Sequence, residues 1–264
     1  MNGASETDRN ARAWNERPLL REIYAGFHRR IAAEIPGGTG AVIELGSGIG
    51  SFPDAILTDV FVREWLDVAC SAYRLPFRDG SARGIVMFDV FHHLARPVAA
   101  LAECARVLAR GGRVIIFDVY VSATSFLVYQ LHPERVRWRA PIDLSPEPPY
   151  SNEYYSGQGN ATRMFFNVGR VLNPSAAERG LSGAERGPSA AAGGRFAAAD
   201  GLRTRPILDV VRAEAFSVWH YLLSGGFSKP ALYPRRALPL LRWLDEYLPP
   251  RIFGGRCLVV LEKQ

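Results

Sequence analysis

Apolar residues recur at helical spacing over residues 11–35, with Trp14, Ile23, Phe27 and Ile31 on one face. Pro18 lies inside that stretch and is expected to start a second helix there. Pro36-Gly37-Gly38 then stops it. The pattern next changes to short continuous apolar runs. Ala41 to Leu45 is bounded by glycines and reads as a buried parallel strand. Similar runs follow at Ala55 to Thr58, ending at Asp59; at Trp65 to Ala69; at Gly84 to Phe88, ending at Asp89; and at Arg113 to Phe117, ending at Asp118. Residues 97–109 between the last two read as a helix, with Pro97 in its first turn and Arg110-Gly111-Gly112 as its cap. Strands alternating with helices predict an open, mostly parallel α/β sheet, Rossmann-like, with ligands at the carboxyl ends of the strands.

Beyond Ser122 the alternation stops. Residues 122–172 are rich in Tyr, Pro and Arg, and 174–201 in Ala, Gly and Ser, with an echo of Ala177–Gly183 in Ala184–Ala190. Apolar order resumes at Ile207. Residues 235–247 read as a helix with Leu238, Leu241, Leu244 and Leu248 on one face, and Cys257 to Leu261 as a closing strand. These shifts divide the chain into an N-terminal helical cap (1–38), a ligand-binding α/β domain (39–121 and 205–264) and an insertion or lid (122–204) with a mobile loop.

Composition narrows the classes of function. At 264 residues with 48% hydrophobic and 22% charged residues, the chain is an ordinary folded domain. No apolar run is long enough for a membrane-spanning helix, and Met1 to Glu16 is too polar for a secretory signal. Cys70, Cys104 and Cys257 are scattered, which argues against a disulfide scaffold or a zinc cluster; no metal is expected, and a reducing cytoplasm is the expected compartment. The net charge of +6 comes almost entirely from dispersed arginines, since Lys229 and Lys263 are the only lysines. With no basic patch interleaved with aromatics, a small molecule is expected as substrate rather than nucleic acid. The oligomeric state is not legible.

The strongest chemical signal is Glu44-Leu45-Gly46-Ser47-Gly48-Ile49-Gly50. Glycines after a strand let the backbone turn sharply and approach a ligand, exposing amides to a carboxylate, ribose or phosphate. Asp59, at the end of the next strand, has the chemistry to accept hydrogen bonds from both hydroxyls of a ribose. The lysine of a phosphate-binding P-loop is absent.

That loop is followed by Thr58-Asp59-Val60, by Leu75-Pro76-Phe77-Arg78-Asp79-Gly80-Ser81, by Met87-Phe88-Asp89-Val90-Phe91-His92-His93-Leu94, and by the run from Arg106 to Asp118. Over residues 40–120 the ordered series resembles a class I S-adenosylmethionine-dependent methyltransferase of the type 11 branch. The resemblance implies a seven-stranded sheet whose last strand is antiparallel, for which Cys257 to Leu261 is the candidate. It implies that S-adenosylmethionine is the cofactor. Gly46, Ser47 and Gly48 would lie under its methionine part, and Glu44 under the amino group or orienting the loop. Asp59 would hold the ribose, and Asp89 would face the sulfonium. The chain departs from the family in three places. Asp59 stands only nine positions beyond Gly50, so the first crossover is too short for a full helix. Cys70-Ser71-Ala72 replaces an adenine-binding acid, leaving Ser71 as the acceptor there. Ala82-Arg83 opens the fourth strand where an aromatic-Asp pair is usual.

Methyl transfer is an in-line displacement at a sulfonium methyl, so it depends on positioning, and an oxygen nucleophile also gains from a base. Candidate catalytic residues are His93, of the His92-His93 pair after the fourth strand; His132, beyond the fifth; and Tyr155, in Ser151-Asn152-Glu153-Tyr154-Tyr155-Ser156, a polar-aromatic cluster suited to close over a sulfonium. Trp14 and Tyr24 could roof the cofactor, and His28 and His220 read as structural. Three activities stay open: methylation of an O or N of a natural product, sugar or lipid precursor, releasing S-adenosylhomocysteine; cyclisation or aminocarboxypropyl transfer, releasing methylthioadenosine; and binding without catalysis.

Overall fold

The computed structural model describes residues 3–50, 52–130, 134–149, 155–166, 195–196 and 208–264. His132 and the 174–194 part of the Ala/Gly-rich segment lie outside them. Two helices open the chain: α1 (Gly3–Glu16) and α2 (Pro18–Ala32), with Pro18 in the first turn of the second. The strands are β1 (Ala41–Leu45), β2 (Ile56–Asp59), β3 (Val68–Ala69), β4 (Ala82–Phe88), β5 (Leu108–Val119), β6 (Arg195–Phe196), β7 (Leu208–Ser217) and β8 (Gly254–Lys263). The remaining helices are α3 (Pro97–Val107), α4 (Ala123–Gln130), α5 (Asn160–Phe165), α6 (Trp219–Leu222), α7 (Leu238–Tyr247) and α8 (Pro250–Phe253).

The sheet order is β3-β2-β1-β4-β5-β8-β7-β6. β3, β2, β1, β4 and β5 pair in parallel, and β8 runs antiparallel between β5 and β7. The closing strand expected at Cys257 to Leu261 is therefore the inserted antiparallel one, with Ile116 opposite Val259. β6 adds a two-residue eighth strand to the seven-stranded arrangement.

β1, β4, β5 and β8 are covered on both faces, which is why they read as continuous apolar runs rather than alternating ones. On one face Leu20, Ile23, Tyr24, Phe27 and Ile31 of α2 pack with Val86, Phe117 and Leu258. On the other, Leu101, Cys104 and Ala105 of α3 and Met164 of α5 pack with Ile43, Met87 and Ile116. The result is a three-layer α/β/α core.

Several boundaries differ from expectation. Between β1 and β2 no helix forms among the described residues, as the short spacing required. β3 keeps only Val68–Ala69, because Trp65 turns back onto the glycine loop, its Nε1 donating to the Gly48 carbonyl at 3.1 Å. α3 ends at Val107, and Arg110-Gly111-Gly112 belongs to the start of β5, where Gly111 adopts φ +73°. In α7 only Leu238 of the expected leucine face is buried; Leu244 is exposed.

Candidate active site

The turn after β1 is held by its own backbone. Gly46, Gly48 and Gly50 have φ of +65°, +52° and +67°. A Cβ on Gly46 would stand 2.6 Å from Val90 Cγ2, and one on Gly50 2.6 Å from Trp65 Cδ1, so glycine is required by packing as well as by φ. At Gly48 the nearest atom to such a Cβ is 3.9 Å away, so this amide borders open space. Ser47 ties β1 to β2: its amide donates to the Thr58 carbonyl at 2.8 Å, and its hydroxyl donates to the Glu44 carbonyl and accepts the Thr58 amide.

Asp59 sits beside the loop. Its Oδ2 accepts the Gly48 amide at 3.0 Å and its Oδ1 the Phe61 amide at 3.0 Å. The Cys70 amide donates to the Asp59 carbonyl at 2.9 Å, which brings Ser71 to the same edge. The Ser71 hydroxyl accepts the Tyr73 amide. Glu44 is only 3% exposed, and its Oε2 is buried with no hydrogen-bond partner. Burial pushes its carboxyl pKa up to about 8, despite the nearby Ser47 hydroxyl. An α-ammonium supplies the donor and the charge that this oxygen lacks, and the open side of Gly48 leaves room for an amino-acid tail. The residues present therefore fit the methionine end of S-adenosylmethionine.

At the end of β4, Asp89 adopts φ +57° and pairs with Arg256 of β8, a buried guanidinium that also lies 5.1 Å from the Tyr221 ring centroid. The next turn carries His92 and His93. The His92 amide donates to Asp118 Oδ2 at 3.0 Å, and its ring Nδ1 lies 2.7 Å from Asp118 Oδ1, with both side chains buried. Burial alone would lower the His92 pKa, but the charge and hydrogen bond of Asp118 outweigh it and hold it above the ordinary value. His93 Nδ1 lies 3.0 Å from the Tyr155 carbonyl oxygen, and burial followed by the neighbouring His92 lowers its pKa. Glu134 Oε2 stands 4.0 Å from His92 Nε2 and accepts Gln158 Nε2 at 3.1 Å. The Tyr155 hydroxyl accepts the Asn160 side-chain amide at 3.2 Å, while its carbonyl oxygen meets His93.

Glu44, Gly46, Ser47, Gly48, Asp59 and Ser71 thus gather at the ends of β1, β2 and β3, with Asp89 and His93 one strand further on. Sequence reasoning gives no role to Arg256, Asp118 or Gln158, and reads Glu134 only as a carboxylate near His132. An acid ending β5 is visible at Asp118, but nothing local marks Arg256 or Gln158. His28 and His220 are both buried. Burial among the rings of Phe52, Phe88 and Tyr24 lowers the His28 pKa to about 4, and His220 Nδ1 lies 2.5 Å from Asp245 Oδ2.

Two adjoining cavities open beyond β5. The larger, about 750 Å³, is lined by Val121, Ser122, Ala123, Phe126, Trp138 and Ala140 with Arg137 and Arg139. The second, about 400 Å³, adds Tyr120, Thr162, Phe166 and Arg251.

Comparison with known proteins places the glycine loop in context. The family described as "Methyltransferase domain" matches residues 44–116, from Glu44 into β5. The "Probable tRNA methyltransferase 9B" of Mus musculus is 31% identical over 119 residues, which is 42% of this chain and 26% of that protein. The chain thus spans about a quarter of the length of the curated relatives it matches. Among solved structures, geranyl diphosphate C-methyltransferase from Streptomyces coelicolor, in complex with Mg2+, geranyl diphosphate and S-adenosyl-L-homocysteine, is 8% identical. That match covers 92% of this chain and 80% of the other, at a TM-score of 0.48. The YcgJ protein of Bacillus subtilis is 15% identical, over 91% of this chain and 98% of the other, at a TM-score of 0.41. Over residues 44–116, from Glu44 into β5, the chain is similar to the methyltransferase-domain family, and the parallel order β3-β2-β1-β4-β5 with an antiparallel strand inserted beside β5 is the arrangement expected of a class I S-adenosylmethionine-dependent methyltransferase.

Proposed function

We propose that this chain transfers the methyl group of S-adenosylmethionine to an oxygen or nitrogen of a small-molecule acceptor, such as a natural product, sugar or lipid precursor. The observation that carries the acceptor class is the roughly 750 Å³ cavity beyond β5, at the same carboxyl edge as the glycine loop. Its size suits a compact ligand, since such sites span about 300–1,000 Å³. Its lining of Phe126, Trp138 and Val121 with two arginines favours an acceptor with an apolar body and an anionic or polar end.

The cofactor supplies an electrophilic methyl on a positively charged sulfur, and the residues do the rest by holding groups in place. Glu44 takes the α-ammonium, the Gly46–Gly48 backbone the carboxylate, Asp59 the ribose diol and Ser71 the adenine edge. Asp89, fixed by Arg256, faces the sulfonium. His93 and the Tyr155 backbone line the approach from the acceptor side, with His132 kept as a further candidate from the sequence alone. In-line alignment at about 3–3.5 Å can contribute on the order of 7–11 kcal/mol. Residues 1–38 as cap and 122–204 as acceptor-covering insertion complete the proposal around the domain of 39–121 and 205–264. The described parts of the insertion, α4, α5 and the 155–158 turn, support it by lying against the carboxyl edge. Chemistry that releases methylthioadenosine is not favoured, since methyltransferases are what the comparisons name.

The test incubates the full chain with methyl-labelled S-adenosylmethionine and a panel of small acceptors, with tRNA as a separate arm. Label in a small molecule with stoichiometric S-adenosylhomocysteine is expected. Label in tRNA alone, or methylthioadenosine as the nucleoside product, overturns the proposal.

A further inference from the structure

We infer that His92, His93 and Glu134 form a binding site for one divalent transition-metal ion of the zinc, cobalt or iron type. One ligand atom from each residue lies within 4.8 Å of the others, although Glu134 is more than 40 positions away in sequence. Two imidazoles and a carboxylate are a common donor set for such ions, and three protein ligands leave a position open.

The second layer of contacts favours the metal. A ligating histidine typically donates its other ring N–H to an oxygen, which fixes the tautomer and aims the lone pair. Both histidines have that oxygen: Asp118 Oδ1 at 2.7 Å for His92 and the Tyr155 carbonyl at 3.0 Å for His93. With Nδ1 so engaged, Nε2 is the nitrogen each ring would turn to the ion. Gln158 orients the Glu134 carboxylate at 3.1 Å, and the Gly157 amide donates to the His92 carbonyl at 2.7 Å, clamping the 155–158 turn onto the histidine pair. A second cluster, Asp89, His92 and Asp118, also converges. It is already spent internally, because Asp89 pairs with Arg256 and Asp118 accepts the His92 ring, the His92 amide and the Val119 amide.

Bond lengths of about 2.0–2.1 Å put neighbouring ligands of a tetrahedral ion about 3.3 Å apart. The observed 4.0 Å from His92 Nε2 to Glu134 Oε2 closes to that with a small rotation of the glutamate. Resting on the function proposed above, the open position would take the acceptor's oxygen and lower the cost of its deprotonation.

Untagged protein is stripped with EDTA, dialysed and titrated with Co2+, read by its visible d–d absorption. One equivalent is expected to bind with a tetrahedral or five-coordinate spectrum, and Zn2+ to abolish the band. Glu134→Gln and His93→Asn should each weaken Co2+ binding by at least about tenfold, the range found when ligand shells are disturbed, with far-UV circular dichroism unchanged. No visible band in the wild-type protein, or a band that survives both substitutions, overturns the site. A parallel calorimetric titration with S-adenosylhomocysteine separates the two readings. Cofactor heat without a cobalt band removes the metal site alone, and a cobalt band without cofactor heat removes the proposed function alone.

Discussion

Asp59 Oδ2 accepts the Gly48 amide at 3.0 Å, so the acid proposed to hold the cofactor's ribose also anchors the loop proposed to hold its methionine. One substitution should therefore damage both ends. Asp59→Ala is expected to weaken S-adenosylhomocysteine binding at least tenfold by calorimetry, the loss of about 1.4 kcal/mol or more that a charge-assisted bond supplies. Asp59→Asn keeps an acceptor oxygen for Gly48 and should lose less.

Gly46 is fixed by two independent constraints, its φ of +65° and the Val90 methyl 2.6 Å from where a Cβ would stand. Gly46→Ala is expected to displace the end of β4 and lower both cofactor affinity and melting temperature. Adding Val90→Ala should recover part of the loss by removing the clash and leave the part due to φ. Full recovery in the double variant would show that backbone strain contributes nothing.

Glu44 carries its own pH signature. Its folded pKa of about 8 lies above the ordinary carboxyl value, so the folded state binds more protons than the unfolded one between about pH 4.5 and 8. Stability of the cofactor-free protein should accordingly fall as pH rises through that window. Glu44→Gln should remove this slope and stabilise the free protein at pH 8 by on the order of 1–3 kcal/mol, while weakening cofactor binding. Urea melts at pH 5 and pH 8 measure it; an unchanged slope in the variant would contradict the burial argument.

Asp245 anchors the start of α6. Its carboxylate accepts the Trp219 amide at 2.8 Å, the His220 amide at 3.0 Å and the His220 ring at 2.5 Å. Asp245→Ala leaves two buried donors and one half-buried donor without their acceptor and should cost about 2–4 kcal/mol of stability. Affinity for S-adenosylhomocysteine, measured well below the melting temperature, should stay within twofold.

What was legible from the sequence was what local pattern encodes. The apolar runs of β1, β4, β5 and β8 are buried on both faces and announce themselves, as do Pro18, Pro97 and the glycines of the loop. β7 does not read as a strand, because Arg212, Glu214 and the half-buried positions around them blur its pattern. The pairings of Asp89 with Arg256 and of His92 with Asp118, and the approach of Glu134, depend on how strands and turns far apart in sequence meet at one edge. No spacing rule reveals them. The face of α7 differs from expectation for the opposite reason. Its leucines repeat at helical spacing, but Leu240, Trp243, Leu244 and Tyr247 point outward, and periodicity alone does not say which stripe a helix buries.

The proposed function requires the carboxyl edge of this sheet to take S-adenosylmethionine through Glu44. Calorimetric titration of the wild-type chain with S-adenosylhomocysteine at pH 7, repeated in buffers of different ionisation enthalpy, measures occupancy and proton exchange together. One equivalent bound with release of a substantial fraction of a proton, lost in Glu44→Gln, is the expected result. Absence of heat, or binding with no proton released, would contradict it.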